Sequence, residues 1–186
     1  MLRNSKTSFG WIAIGMHWGI AILLVCQFAL GVTMVDVEDQ RRAFDLIQLH
    51  KSLGFLLLCL IVLRLGWRLT NRFPVEPADL AVAFCHASRM SHGALYAIML
   101  ALPLTGWALV SASTLAIPTL VFGTLIVPDL PLTRLESAEG AWRATHEALG
   151  WLGVGLVGLH VGASIWHELT LGQPFLRRIW RPGHRH

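Results

Sequence analysis

Four stretches of the chain are apolar over most of their length: Trp11 to Val35, about Phe44 to Trp67, Gly93 to Ala112, and Ala148 to Trp166. Each approaches the roughly 20 residues a helix needs to cross the hydrocarbon core of a bilayer. The second begins with polar residues (Asp45, Gln48, His50 and Lys51) but is wholly apolar from Leu53 to Leu63. With its flanking turns, the fourth runs over about 146–168. The pattern predicts an all-α fold, an integral membrane four-helix bundle, with residues 1–186 as a single domain.

The connections differ in character. Val37 to Arg42 is short and polar, which makes the first two helices antiparallel neighbours. Thr70 to Arg89 contains Pro74 and Pro77 and an amphipathic piece, Ala78 to Phe84, expected to lie on the membrane surface. Ser113 to Gly140 is apolar from Thr114 to Val127 and then broken by Pro128 and Pro131. That stretch is too short and too interrupted to span, so an interfacial lid is expected. Pro103 should bend the third helix, which membrane helices tolerate where neighbours satisfy the freed carbonyl. No internal repeat or low-complexity segment is visible.

Composition agrees with lipid as the solvent: 54% of residues are hydrophobic and only 14% charged, against about 25% charged in soluble domains. Lys and Arg near span ends set orientation. With the N-terminus inside, the cytoplasmic segments carry Arg3, Lys6, Arg64, Arg68, Arg72, Arg89, Arg177, Arg178, Arg181 and Arg185. The other side carries Arg41, Arg42, Lys51, Arg134 and Arg143, so the bias is ten to five. Asp36, Glu38, Asp39, Asp45, Asp129, Glu136, Glu139 and Glu147 fall on the outer side. Both termini are therefore expected in the cytoplasm, and the basic charge reports topology rather than nucleic-acid binding. The first apolar run is longer than a signal h-region and lacks a small-residue cleavage site, so it is expected to stay. Cys26, Cys59 and Cys85 form no C-x-x-C pair and no C-x-x-C-H, which argues against covalent haem and iron–sulfur or zinc sites.

Histidines inside spans carry the chemistry, because an ionisable group in lipid is costly and marks function by default. His146 and His160 are 14 residues apart, hence about 21 Å apart along a helix and within roughly 40° of each other around it. Gly150, Gly153 and Val157 lie between them on that face, and glycine lets a large flat ligand approach the backbone. Depth matching across antiparallel helices pairs His17 with His160 near the cytoplasmic face and His50 with His146 near the outer face. Each pair of imidazoles would serve as the two axial ligands of one b-type haem. Two axial imidazoles leave no open position for oxygen, so the expected role is electron transfer. Rival readings are helix–helix hydrogen bonding by the histidines, a proton relay, and one shared zinc or copper, which the separation along the fourth helix forbids. A haem-free transporter or scaffold is the alternative of another class.

Other residues are candidates of lower information. Arg64 lies 14 positions beyond His50, with Arg68 one turn further; either could pair a haem propionate or simply snorkel to the interface. Arg143, three residues before His146, could act likewise on the outer side. His167 follows His160 by seven and is the candidate catalytic residue, hydrogen-bonding a quinone carbonyl or a propionate. His86 and His92 read as interfacial, and His184 and His186 as tail residues without a role. Trp11, Trp67 and Trp142 sit near predicted boundaries, where tryptophan is enriched.

Several segments together resemble the bacterial cytochrome b561 family: Met16-His17-Trp18; Leu49-His50-Lys51-Ser52-Leu53-Gly54; Val62-Leu63-Arg64-Leu65-Gly66-Trp67-Arg68; Leu102-Pro103-Leu104-Thr105-Gly106; His146-Glu147-Ala148-Leu149-Gly150; and Gly158-Leu159-His160. The resemblance spans roughly Phe9 to Leu176. It implies a di-haem b cytochrome of the bacterial inner membrane that exchanges electrons with quinone, ubiquinone being the acceptor in some members and superoxide the outer donor. It also implies that Gly54 belongs to the haem-binding set and that His167 matches a histidine at the quinone end. The b-type subunits of hydrogenases and formate dehydrogenases share the four-helix core, so a subunit docked to a separate dehydrogenase is the runner-up. Expected partners are membrane lipid, quinone and a small or protein redox donor at the outer face.

Overall fold

The computed structural model describes residues 1–5, 8–72, 74, 82–172 and 175–180. Lys6, Arg181, Arg185, His184, His186 and positions 78–81 of the expected surface piece lie outside the described residues.

Helix α1 is Trp11–Thr33, and its N-cap, Gly10, has no side chain with which to cap it. The preceding segment folds back instead. The carbonyls of Met1 and Leu2 accept from the amides of Trp11 and Ile12 at 3.1 and 3.4 Å, satisfying donors that a helix start leaves open. Asn4 holds the fold-back, accepting from the Gly10 amide at 2.9 Å and donating to the Arg72 carbonyl at 3.0 Å. A Cβ at Gly10 would strike the backbone of Leu2 and Arg3, so this approach requires glycine.

Helix α2 is Gln40–Thr70. Asp39 caps it, its carboxylate accepting from the Arg42 amide at 2.7 Å. Helix α3 is Val82–Ala112 and runs through Pro103. Helix α4 is Glu136–Leu171, with Glu136 and Glu139 in its first turn, where the helix dipole favours acids. It stops at Gly172, whose φ of 62° is the left-handed conformation glycine adopts most readily. A short helix, α5, covers Phe175–Trp180 and docks on α1: the Trp18 indole donates to the Ile179 carbonyl at 3.0 Å, with the Trp18 and Trp180 rings 4.5 Å apart.

Four of these helices are long and apolar enough to cross a membrane. Three outrun the apolar stretches that announced them. A helix of 31 residues such as α2 is about 46 Å long, against about 30 Å of hydrocarbon, so its polar first turns project beyond the lipid. The third helix begins at Val82 rather than Gly93, so Val82 to Phe84 of the expected surface piece is its first turn.

The bundle is helical as expected, but the connection between α3 and α4 holds a two-stranded hairpin that the all-α reading did not anticipate. Strands β1 (Thr119–Val121) and β2 (Leu125–Val127) pair antiparallel, Leu120 opposite Ile126. The turn uses positive φ at Phe122 (50°) and Gly123 (70°). Two polar side chains of α2 fasten the hairpin: Gln48 donates to the Pro118 carbonyl at 3.0 Å, and the Ser52 hydroxyl accepts from the Phe122 amide at 2.9 Å. On the α3 side, Ser111 accepts from the Leu130 amide at 2.9 Å, and the Trp107 indole donates to the Pro128 carbonyl at 3.0 Å. The expected lid is thus a hairpin bolted to α2 and α3.

The apolar core is small and lies among α1, α2 and α3: Ile20, Leu57, Ile61, Leu95 and Met99. Helix α4 packs along α3 and bares most of its other faces. Helices α1 and α4 meet chiefly through side chains, as where Phe28 meets Trp151 edge-on at 5.2 Å. Lipid gives no hydrophobic drive between helices, so such contacts rest on van der Waals fit and interhelical hydrogen bonds.

Candidate functional site: two histidine pairs

At the hairpin end of the bundle, His50 of α2 faces His146 of α4, their ring centres 6.2 Å apart and their planes at 87°. Both rings are seated by neighbouring backbone. Nδ1 of His146 lies 3.0 Å from the Leu102 carbonyl and 3.2 Å from the Thr105 hydroxyl on α3. A carbonyl only accepts, so Nδ1 carries the proton and Nε2 presents a lone pair. Gly106 makes this seat possible, because a Cβ there would stand 3.1 Å from Cε1 of His146. Opposite, the Gln27 amide of α1 donates to the His50 carbonyl at 3.0 Å, and a Cβ on Gly31 would press the His50 ring at 3.4 Å. Nδ1 of His50 is buried with no hydrogen-bond partner among the described residues.

At the other end, where α1 begins and α2 finishes, His17 faces His160 with ring centres 6.4 Å apart and planes at 59°. Two cationic and two aromatic neighbours surround this pair. Arg64 donates to Nδ1 of His17 at 3.0 Å. Arg64 and Arg68 lie 5.9 and 5.5 Å from the centre of the Tyr96 ring, cation–π range. His92 of α3 stands edge-on to His160 with ring centres 5.3 Å apart, and its Nδ1 is 3.4 Å from the Ser88 hydroxyl.

The remaining sequence candidates are placed as follows. Gly150 opens on space, with nothing within 4 Å of a Cβ there, whereas Gly153 is filled by α3: Ile98 Cγ2 would be 3.3 Å and Leu102 Cδ1 3.6 Å from its Cβ. Gly153 thus lies at the α3–α4 contact. Gly54 admits Gln27, whose Nε2 would be 3.1 Å from a Cβ. Arg143 forms a 2.8 Å ion pair with Glu139 one turn earlier. His167 lies against Phe84 and Trp166, ring centres 5.1 and 4.9 Å away, both edge-on. Among the described residues, no three His, Cys, Asp or Glu side chains converge to hold a bare metal ion.

Residues 8–182 match the family described as prokaryotic cytochrome b561. The chain belongs to this family. It is also 29% identical to cytochrome b561 homolog 2 of Escherichia coli (strain K12) over 177 residues, 95% of this chain and 93% of that protein. The chain is therefore a multi-pass membrane b-type cytochrome of bacterial type, working in electron transfer, and membership implies b-type haem. The haem-free scaffold is set aside. A membrane cytochrome is expected to contact lipid and redox partners.

Sequence reasoning passed over four residues around the pairs in this cytochrome. His92 read as interfacial because the third helix was started at Gly93; with α3 starting at Val82, it lies ten residues inside. Thr105 and Gly106 were noticed as a motif without a role, and they seat His146. Tyr96, the single tyrosine of the chain, carried no spacing signal at all.

Proposed function

We propose that this cytochrome holds two haems b, each between two imidazoles, and conducts electrons across the bacterial inner membrane. His50 and His146 would hold one haem near the outer face, and His17 and His160 the other near the cytoplasm. The observation that carries this reading is the spacing of the two ring pairs. An imidazole nitrogen stands about 2.0 Å from a metal it binds and about 1.2 Å from its own ring centre, so two rings on opposite sides of one metal are about 6.4 Å apart. The pairs stand at 6.2 and 6.4 Å. His146 supports the reading further: its Nδ1–H donates to a backbone carbonyl, the arrangement that fixes the tautomer of metal-binding histidines. The orphaned Nδ1 of His50 and the open space beside Gly150 are in keeping with a bound group.

A haem so held would supply one-electron redox chemistry. What the chain supplies is position and environment. Side chains of α1, α2 and α4 would hold two redox sites about 21 Å apart along α4, and with two imidazoles given to each site no position would be left for oxygen. Arg64 and Arg68 stand where propionates at the cytoplasmic end could be paired, and Arg143 lies on the outer side. The Lys and Arg bias of ten to five supports a cytoplasmic position for both termini, in which case the hairpin end is the outer one. A small or protein donor there would reduce the outer site, with superoxide the candidate from family resemblance. Membrane quinone, ubiquinone in particular, would take electrons at the inner end, where His167 offers a hydrogen bond and a proton among Phe84 and Trp166. The whole chain, 1–186, acts as one unit in this scheme.

The test is stoichiometry. Purified protein assayed by pyridine haemochrome against protein concentration should hold two haems b per chain, with low-spin bis-histidine spectra. One haem, or none, would contradict the pairing.

A further inference from the structure

The two histidine pairs differ in what faces their axial rings. At the outer pair the contacts are neutral and accepting or structural: Nδ1 of His146 meets the Leu102 carbonyl and the Thr105 hydroxyl, and the Gln27 amide meets the His50 backbone. Lys51 adjoins His50 in the chain, and the nearby loop carries the carboxylate of Asp129, which pairs with Arg134 at 2.6 Å. At the inner pair a guanidinium touches the ring itself, Arg64 lying 3.0 Å from Nδ1 of His17. Its charge also acts on His160 and His92. Tyr96 neighbours both guanidinium groups, Arg64 and Arg68 lying 5.9 and 5.5 Å from its ring centre, and its side chain also hydrogen-bonds Arg64.

Building on the two-haem reading, we infer that Arg64 orders the two sites in potential, making the His17–His160 site easier to reduce than the His50–His146 site. The physical reason is charge. Reduction lowers the positive charge at the metal, and a fixed cation favours the state with less positive charge beside it, strongly so where lipid and protein screen little. The outer ring works in the opposite sense, since an Nδ1–H donated to a carbonyl makes the imidazole a better electron donor and favours the oxidised metal. One electron leaves the outer site and the same electron arrives at the inner one, with no bond formed or broken, and the step runs downhill toward the cytoplasm. Arg64 is in this sense a positioning and tuning residue. It was read from sequence as a propionate partner or a snorkelling cation; its contact with His17 gives it a more specific task.

Arginine only donates, so the 3.0 Å contact needs Nδ1 of His17 without its proton; with Nε2 on a metal, either Nδ1 takes up a proton and the guanidinium acts only as a nearby charge, or the ring stays an imidazolate, its proton lost to water and its charge stabilised by Arg64. An imidazolate is a stronger electron donor and would lower the inner potential. The sign of one measurement separates the two effects.

The experiment is a spectroelectrochemical redox titration of the full-length purified protein in wild-type, Arg64→Gln and Arg64→Lys forms, each first assayed for haem content. Low haem content in the wild type would refute the two-haem reading itself and is seen before any potential is measured. With two haems present, the wild type should titrate as two separate components, and the component lost in His17→Ala should be the higher one. Arg64→Gln should move that component down toward the other, leaving the outer component in place, and Arg64→Lys should restore part of the gap. Where Arg64→Gln fails to assemble, Tyr96→Phe, which removes the hydroxyl that hydrogen-bonds the guanidinium, should give a smaller downward shift. An unmoved inner component, an upward shift, or an equal shift of both components overturns the inference.

Discussion

Replacing Gly106 by alanine probes the seat of His146 with the smallest possible change. The added Cβ would lie 3.1 Å from Cε1, 3.5 Å from Nδ1 and 3.8 Å from Nε2 of the ring. Ordinary carbon contacts begin near about 3.5 Å, so the ring must yield by a few tenths of an ångström. Metal–ligand distances tolerate only about 0.2 Å, and the ring cannot retreat without lengthening its 3.0 Å bond to the Leu102 carbonyl. Two effects on stability oppose one another. Alanine in a helix interior is favoured over glycine by roughly 0.5–1 kcal/mol, while overpacking costs about 1–3 kcal/mol. The net change in fold stability should be small, a destabilisation of about 1 kcal/mol. The change at the site should be larger, since disturbing an orienting contact typically costs 10–100-fold in affinity. Gly106→Ala should therefore purify as a folded protein with substoichiometric or spectrally altered outer haem and an intact inner one. Gly140→Ala, with nothing within 4 Å of its Cβ, is the control. Haem content and the ferric electron paramagnetic resonance spectrum read the outcome. Two full haems with unchanged signals in Gly106→Ala would refute the idea that α3 seats His146.

Three further outcomes are expected. Gly153→Ala should keep both haems and lower the thermal midpoint, because Cγ2 of Ile98, 3.3 Å from the new Cβ, branches stiffly from its own Cβ, while Cδ1 of Leu102 at 3.6 Å is in ordinary contact; loss of a haem would place Gly153 at the cofactor site. Ser52→Ala removes the acceptor of the Phe122 amide and should weaken the hairpin's attachment by about 1 kcal/mol, seen as faster proteolytic nicking at the 122–124 turn with the helices intact; an unchanged cleavage rate would count against the docking. His167→Ala should retain both haems and their potentials yet slow reoxidation by added quinone, whereas a shifted inner potential with normal reoxidation would assign His167 to the haem instead.

Helical arithmetic made much of the site legible. His146 and His160 share a face because 14 residues nearly close four turns, and the same count carries the chain from His50 to Arg64, at opposite ends of α2. The structure brings His50 to His146 and Arg64 to His17, as those registers require. What stayed hidden depended on contacts between distant segments. Gly150 and Gly153 look equivalent in sequence, and only the packing of α3 tells the open one from the filled one. The hairpin has three-residue strands, too short for alternation to register, and it is held by side chains some 70 positions earlier. The start of α3 was placed late because its first turns are mixed in polarity, although helix geometry continues past the edge of the apolar run, and His92 was misplaced with it.

The claim of two haems, each bound by one ligand pair, is tested most directly by counting haem in four single variants. His50→Ala and His146→Ala should each leave one haem b per chain, with the same surviving spectrum in both. His17→Ala and His160→Ala should each leave the other haem, spectrally distinct from the first. If His17→Ala and His50→Ala remove the same component, or if any one variant keeps both haems, the pairing is contradicted.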